Sequence, residues 1–233
     1  MTGWHEGQWL PFDLETTGRD PHEARIVQYA IGRVGGGKPS ATVTRVVNPG
    51  VSISSETTAI HGITDEMAAD GQTARLAVDL LAEIIAQAAT DGVPIVGWNV
   101  GYDLTVLSAE LSRHDLPALE MGYVLDGLVI DKAKDRYRRG SRKLVDVARL
   151  IGVELGDAAH DAGADALAAA RVTWKLCQRH GLHSMPLAEL HQAQVGWARE
   201  QADSLRAYFD RKGTEHDGVD GTWPIRQRTQ VAA

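Results

Sequence analysis

The chain has 233 residues, of which 43% are hydrophobic and 24% charged, with a formal net charge of −7. This composition is typical of one globular domain with an appendage, and no stretch approaches the roughly 18 consecutive apolar residues of a membrane span. Cys177 is the only cysteine, which excludes an intrachain disulfide and a cysteine-based zinc site, and an N-terminus without a secretory signal pattern favours a cytoplasmic location.

The first half of the chain combines strand patterns with one helical pattern. Residues 8–14 predict a strand that is regular only from Phe12, because Pro11 cannot donate to a sheet ladder. Residues 26–34 and 41–47 are β-rich and flank a Gly-rich turn, which predicts a hairpin. Apolar residues at helical spacing predict a helix over 73–89. Its predicted buried face comprises Leu76, Leu80, Leu81, Ile84 and Ile85.

The second half is mainly helical after a short buried strand at 94–98. Asp103 begins a predicted helix, and further helices are expected over 125–133 and 143–151. After Asp161, an amphipathic helix is predicted from an inward stripe of Leu167, Ala170, Trp174 and Cys177. Early strands followed by alternating strands and helices predict an α/β fold, with a mixed sheet flanked by helices.

The character of the chain changes near residue 184. Pro186 starts a segment that predicts one or two helices, and a polar, Gly-rich run and a tail follow it. We therefore predict one domain over residues 1–183 and a C-terminal helical extension with a tail over 184–233.

Four carboxylates and one imidazole occur in three separated segments: Asp13 with Glu15, then Asp103, then His160 with Asp165. Each alone also fits an ordinary surface strand, helix start or loop. Together they match a carboxylate cage for hard divalent cations, which prefer oxygen ligands. Two such ions about 3.5–4 Å apart clamp an in-line displacement at phosphorus. The pattern therefore predicts phosphodiester hydrolysis, with His160 as general base.

The order of these motifs resembles the DEDD superfamily of 3′→5′ exonucleases, in its histidine-bearing branch, DEDDh. The chain is similar to the family of proofreading epsilon subunits of bacterial DNA polymerase III. The resemblance covers residues 8–180. It rests on four segments, residues 12–18, 61–67, 98–103 and 160–165.

This resemblance implies a ribonuclease-H-like fold and a site for two Mg²⁺ or Mn²⁺ ions. Asp13 would bridge both ions, and Glu15 and Asp165 would complete the site of the ion that carries the nucleophilic water. Asp103 would support the second ion. His160 would deprotonate the water.

Further residues are candidates for substrate binding. Thr16 is expected to contact the terminal sugar, and His61 is either beside the terminal nucleotide or a turn residue capped by Gly62. Asn99 belongs to the same set, and Tyr102 is either an aromatic against the terminal nucleotide or a core residue.

Seven basic residues crowd into residues 132–143, in a chain whose net charge argues against a nucleic-acid partner. Bound cations would offset part of the acidic charge. Arg138, Arg139 and Arg142 are therefore candidates for contacting the substrate backbone. The alternative is a solvated surface run.

We expect a metal-dependent 3′→5′ exonuclease that releases 5′-mononucleotides from a single-stranded or frayed DNA end. Two alternatives remain open. The first is the same chemistry on short RNA, and the second is a polymerase-associated proofreading or binding subunit, with no membrane partner in either case.

Overall fold

The computed structural model describes residues 3–154, 162–214 and 219–228. In these ranges six strands form one mixed sheet. Their bounds are β1 (Gln8–Thr16), β2 (Ile26–Gly35), β3 (Ala41–Asn48), β4 (Gln72–Thr73), β5 (Ile95–Gly97) and β6 (Val124–Asp126). The strand order is β4-β3-β2-β1-β5-β6. The predicted hairpin is present as β2 and β3, which pair antiparallel.

Eight α-helices and two short 3-10 helices surround this sheet in the described ranges. The α-helices are α1 (Ser55–His61), α2 (Asp65–Ala69), α3 (Ala74–Thr90), α4 (Val100–Arg113), α5 (Gly127–Lys134), α6 (Leu144–Leu150), α7 (Ala162–Arg179) and α8 (Leu187–Lys212). The 3-10 helices are Trp4–Glu6 and Leu182–Ser184. None of the described helices combines the length and the apolar character that a membrane crossing requires. The α/β fold with helices on both sides of a mixed sheet agrees with the sequence prediction.

β1 lies in the centre of the sheet, antiparallel to β2 and parallel to β5, which is in turn parallel to β6. The expected irregularity around Pro11 is present on the β2 side, where Trp9 pairs with Val34 and Phe12 with Ile31 but neither Leu10 nor Pro11 is paired in the described register. On the β5 side Pro11 pairs in register with Val96, and the bond at this point is donated by Leu10 N to Pro94 O, at 2.9 Å. The strand is therefore continuous through Pro11 on the side that needs no donor from it.

The helix over 73–89 is present as α3, but its buried face is not the predicted one. Leu81 and Ile85 are buried, whereas Leu76 is 58% exposed and Leu80 38% exposed. Ala77 and Ala88 complete the buried face together with Val78. A face built partly from alanine lets the helix approach the elements it packs against closely. A count of large apolar residues therefore misplaces the stripe.

The same effect occurs on α7, where Ala170 and Cys177 are buried but Trp174 is 43% exposed. The Trp174 indole donates to His5 O at 3.2 Å at the surface. On α4 the predicted stripe is correct, since Leu104, Leu107 and Leu111 are all buried. Residues 124–126, which overlap a predicted helix, form β6 instead. Three residues are too few for a strand periodicity to show.

One helix, α8, follows Pro186 and packs on the sheet through Leu190 and Gln194, both fully buried. The Gln194 side chain joins α8 to β6, because its Oε1 accepts from Asp126 N at 2.7 Å and its Nε2 donates to Val124 O at 2.9 Å. These contacts tie the C-terminal segment to the sheet. The division of the chain at residue 183 stays a prediction.

Gln194→Leu should lower the free energy of unfolding by about 2 kcal/mol or more, because a buried N–H and a buried C=O of β6 lose their partners. Urea denaturation followed by circular dichroism measures this difference. Gln192→Leu, at an exposed position of the same helix, is the matched control. Equal stability of the two variants would contradict the assigned role of Gln194.

Candidate active site

Acidic side chains from three elements meet near the carboxyl end of β1. Successive residues of a strand face opposite sides. Leu14 packs in the core on the α3–α4 side, so Asp13 and Glu15 face the side on which α7 packs. A register shift between Glu15 and Thr16 ends the regular pairing with β2. The first turns of α4 and α7 contribute Asp103 and Asp165.

The charges of these carboxylates act on one another. Burial raises the pKa of Asp13 well above its usual value, and the carboxylates of Glu15 and Asp165 raise it further. Burial also raises the pKa of Asp103, and Asp13 adds to that shift. A hydrogen bond from Leu14 N to Asp103 Oδ1, at 3.0 Å, opposes it. Like charges in a partly desolvated site favour a positively charged partner.

The donor set fits hard divalent cations, because it consists of carboxylate oxygens whose mutual repulsion such cations would relieve. Within the described ranges, no three Asp, Glu, His or Cys side chains are already arranged to hold a metal ion. Metal binding by Asp13, Glu15, Asp103 and Asp165 therefore belongs to the proposal below.

Hydrogen bonds of Thr16 and Tyr102 connect the end of β1 to the start of α4. The Tyr102 hydroxyl donates to Gly18 O, and it lies 2.7 Å from Thr16 Oγ1. Thr16 Oγ1 is also 3.0 Å from Gly18 O. Burial raises the pKa of Tyr102. Both hydroxyls therefore have a structural role, and their contact with a substrate stays a prediction.

A cavity of about 350 Å³ opens beside these hydrogen bonds, and Glu15, Thr16 and His61 line it. His61 Nδ1 accepts from Ile63 N at 3.1 Å, so the neutral ring carries its proton on Nε2. His61 Nε2 is buried and has no complete hydrogen bond in the described part of the chain. Burial lowers the pKa of His61, and its approach to the Thr16 backbone opposes this by less. An unpaired buried donor at this cavity favours the substrate-side interpretation of His61 over the turn alone.

Asn99 precedes α4 with a left-handed backbone (φ 65°), and its side-chain Oδ1 accepts from Arg226 at 3.3 Å. Arg226 lies in the C-terminal tail, where the sequence offered no reason to look for it. The role of Asn99 in substrate binding stays a prediction.

Asp126 is the positioning residue that sequence reasoning missed. Its buried carboxylate accepts from Asn99 N (2.9 Å) and Gly101 N (3.3 Å) at the start of α4. It also accepts from Leu128 N (3.0 Å) and Val129 N (3.3 Å) at the start of α5. Burial raises the pKa of Asp126, and these four N–H groups oppose that shift. The sequence signal for this role was an aspartate directly before Gly127 at the start of a helix, which is a favourable N-cap residue.

Two arginines of the basic run over 132–143 form ion pairs within the fold. Arg138 and Arg142 each place a guanidinium 2.7 Å from Asp131 Oδ2, and Asp131 is 3% exposed. Arg142 also donates to the carbonyls of Asp131 and Asp135. These pairs give Arg138 and Arg142 a structural role, and their contact with a strand stays a prediction. Arg139 is exposed, and its contact with substrate stays a prediction.

His160, the predicted general base, lies outside the described residues. The structure brings together the elements that carry Asp13, Glu15, Asp103 and Asp165, and it places α7 directly after the segment that contains His160.

The model of the exonuclease family RNase_T matches residues 10–173, which is most of the chain. The chain belongs to this exonuclease family. Residues 10–173 are thus a domain of the DEDD superfamily of 3′→5′ exonucleases. The histidine branch stays a prediction.

This exonuclease chain is also similar to individual proteins. It is 29% identical over 185 residues to the PolC-type DNA polymerase III of Streptococcus thermophilus, a match that covers 77% of this chain and 12% of that protein. A PolC-type DNA polymerase III of Streptococcus pneumoniae is 28% identical over 182 residues, which covers 76% of this chain and again 12% of the relative. The chain therefore spans only a small part of the length of these relatives.

Among solved structures, the fold is similar to E. coli exonuclease I in complex with a dA16 oligonucleotide, with a TM-score of 0.64 and 19% identity. That match covers 76% of this exonuclease chain and 42% of the other. A zinc-bound form of the E. coli exonuclease I complex with single-stranded DNA matches with a TM-score of 0.62 and 20% identity, over 76% and 42% of the two chains. The shared part is the ribonuclease-H-like fold.

Asp126→Ala should lower the free energy of unfolding of the exonuclease by about 2–3 kcal/mol, because two helix starts lose their cap at once. Urea denaturation measures the loss. Asp91→Ala, an exposed residue after α3, provides the control with the same change of charge and size. A loss no larger than that of the control would show that the caps contribute little.

Proposed function

We propose that this exonuclease is metal-dependent and removes 5′-mononucleotides from the 3′ end of single-stranded or frayed DNA. The observation that carries this proposal is the crowding of carboxylates from β1, α4 and α7 around Asp13. A surface acidic patch would leave each carboxylate solvated. These groups instead repel one another in a partly buried setting, which a cation would relieve.

Asp13, Glu15, Asp103 and Asp165 would hold the ions, either Mg²⁺ or Mn²⁺. When bound, divalent ions stabilise the charge that develops on a phosphoryl group in hydrolysis. The protein supplies the geometry of the ligands. Leu14 N fixes one oxygen of Asp103, and Asp126 fixes the start of the helix that carries Asp103.

The cavity lined by Glu15, Thr16 and His61 would accept the terminal nucleotide. In the described part of the chain the buried His61 Nε2–H approaches the Thr16 backbone without a complete hydrogen bond, and a sugar or phosphate oxygen would supply a full acceptor. Entry requires an unpaired end, because a base inside a duplex must first be unstacked. The oligonucleotide complexes of E. coli exonuclease I support single-stranded DNA as the substrate. The similarity to PolC-type polymerases is the reason to test association with a polymerase.

Asp13→Asn should reduce kcat by roughly 10³-fold or more in Mg²⁺, because several kcal/mol of charge stabilisation depend on the ions. The variant should be at least as stable as the parent in chelator, since it removes a charge that burial and two neighbours disfavour. Hydrolysis of labelled single-stranded DNA and urea denaturation test the two statements. Asp79→Asn, exposed on α3, is the control. Undiminished cleavage by the parent in excess chelator would refute metal dependence.

His160→Ala should lower kcat by roughly 10²–10⁴-fold with a small change in KM, the usual effect of removing a general base. His180→Ala, just beyond the far end of α7, is the control. Parental kcat in His160→Ala would remove His160 from the mechanism.

Digestion of matched DNA and RNA oligonucleotides by the parent decides between the DNA and RNA alternatives, since the 2′-hydroxyl is the distinguishing group.

A further inference from the structure

A second cleft, of about 660 Å³, lies between the starts of α4 and α5, helix α8 and residues 219–228. We call residues 219–228 the C-terminal strap. The strap lies beyond residue 173, where the family match ends. The cleft volume falls within the about 300–1,000 Å³ of typical ligand sites.

The strap is held on α4 by specific contacts. Arg226 N donates to Thr105 Oγ1 at 2.9 Å. Trp223 is buried against Gly101, where an added Cβ would lie 3.1 Å from the indole ring and from Pro224 O. Asp220 closes the strap on itself by accepting from Gln227 N at 2.7 Å. The position of the Arg226 side chain is therefore set by the fold.

Two partly buried cations line this cleft, Lys132 from α5 and Arg226 from the strap. Neither has a carboxylate within ion-pair distance in the part of the chain that the structure describes. The hydrogen-bond partner of the Arg226 side chain among the described residues is the neutral amide of Asn99, at 3.3 Å. Burial lowers the pKa of Lys132, Asp126 opposes this, and Arg142 and Arg226 lower it further. An anion in the cleft would relieve this unfavourable setting.

Three carboxylates of the described ranges also line the cleft, and backbone N–H groups hold each of them in place, away from direct ion pairs with the two cations. Asp126 caps α4 and α5, and Asp220 accepts from Thr222 N and Gln227 N. Asp20 accepts from His22 N at 2.9 Å. Asp126 and Asp131 act on the charge of Lys132, and Asp220 acts on that of Arg226, but among the described residues neither cation has a carboxylate at ion-pair distance.

Chain continuity links the cleft to the candidate active site. Asn99 lines the cleft and directly precedes α4, which carries Asp103, and Asp20 lines the cleft and directly follows Arg19, which lines the cavity with Glu15. The lining also includes apolar side chains, among them Leu128, Ala198 and Leu205. Cations beside apolar side chains fit a ligand that offers both phosphates and bases, which is single-stranded nucleic acid.

We propose that Lys132 and Arg226 bind backbone phosphates of the substrate strand, upstream of the nucleotide that is removed. This inference rests on the proposed function, since it concerns the same substrate. It gives the C-terminal strap a role in holding longer strands, which the matched exonuclease domain alone does not provide.

The test compares a long and a minimal substrate with the variant Lys132→Gln/Arg226→Gln. The long substrate is an eight-nucleotide single strand, and the minimal one is the p-nitrophenyl ester of thymidine 5′-monophosphate, which does not reach the cleft. For the long strand we expect KM to rise by roughly tenfold or more with kcat within a factor of two, as for lost charged contacts. The slope of log KM against log salt should flatten by about 0.7 per lost phosphate contact. The minimal substrate should be hydrolysed as by the parent.

Two controls separate charge from damage to the strap. Arg33→Gln/Lys38→Gln removes the same charge from exposed positions at the end of the β2–β3 hairpin and should behave as the parent. Lys132→Arg/Arg226→Lys keeps both charges and should retain most of the affinity for the long strand. A KM for the long strand equal to that of the hairpin control overturns the proposal. Equal losses on both substrates overturn it as well, because the variant would then act through the catalytic centre.

If the parent cleaves neither substrate, the proposed function fails but the cleft remains testable. Fluorescence anisotropy of a labelled eight-nucleotide strand in excess chelator then measures binding without hydrolysis. Weaker binding by Lys132→Gln/Arg226→Gln than by the hairpin control supports the proposal, and equal binding overturns it.

Discussion

The Asp126 carboxylate is the constraint on which the catalytic side of this fold depends. One buried side chain accepts four backbone N–H groups, two at the start of α4 and two at the start of α5. Its own N–H is bound by Gln194 of α8. Strand β6, two helix starts and the C-terminal helix are therefore joined at one residue. The orientation of α4, and with it that of Asp103, follows from this junction.

Unlike Asp126, whose carboxylate holds elements of the fold together, the carboxylates around Asp13 repel one another. The fold places like charges in a partly buried site, where Leu14 N donates to Asp103. Such an arrangement costs stability in the absence of cations and gains it when cations bind. The C-terminal strap extends the same site with positive charge, through Arg226 beside Asn99. Acidic and basic halves of one substrate path would thus come from distant parts of the chain.

The sequence by itself determined the class of fold and the elements that carry the acidic residues. Local periodicity defined β1–β3, α4 and α8, because each has a long enough apolar pattern to show its type. Asp13, Glu15 and Asp103 were predicted as site residues from separate motifs, since metal chemistry requires particular residue types. It also predicted the exonuclease family, which the match over residues 10–173 confirms.

Only the tertiary structure decided which faces are buried and which charges are free. Alanines on α3 and α7 allow close packing, so large residues such as Leu76 and Trp174 remain exposed. Arg138 and Arg142 look like free cations in the sequence, but Asp131 binds both. Lys132 lies in the same run with no ion-pair partner among the described residues, and Arg226 lines the same cleft from 94 positions away in the chain. The physical reason is that ion pairing and burial depend on which residues are neighbours in space. Residue spacing along one strand or helix carries no information about those neighbours.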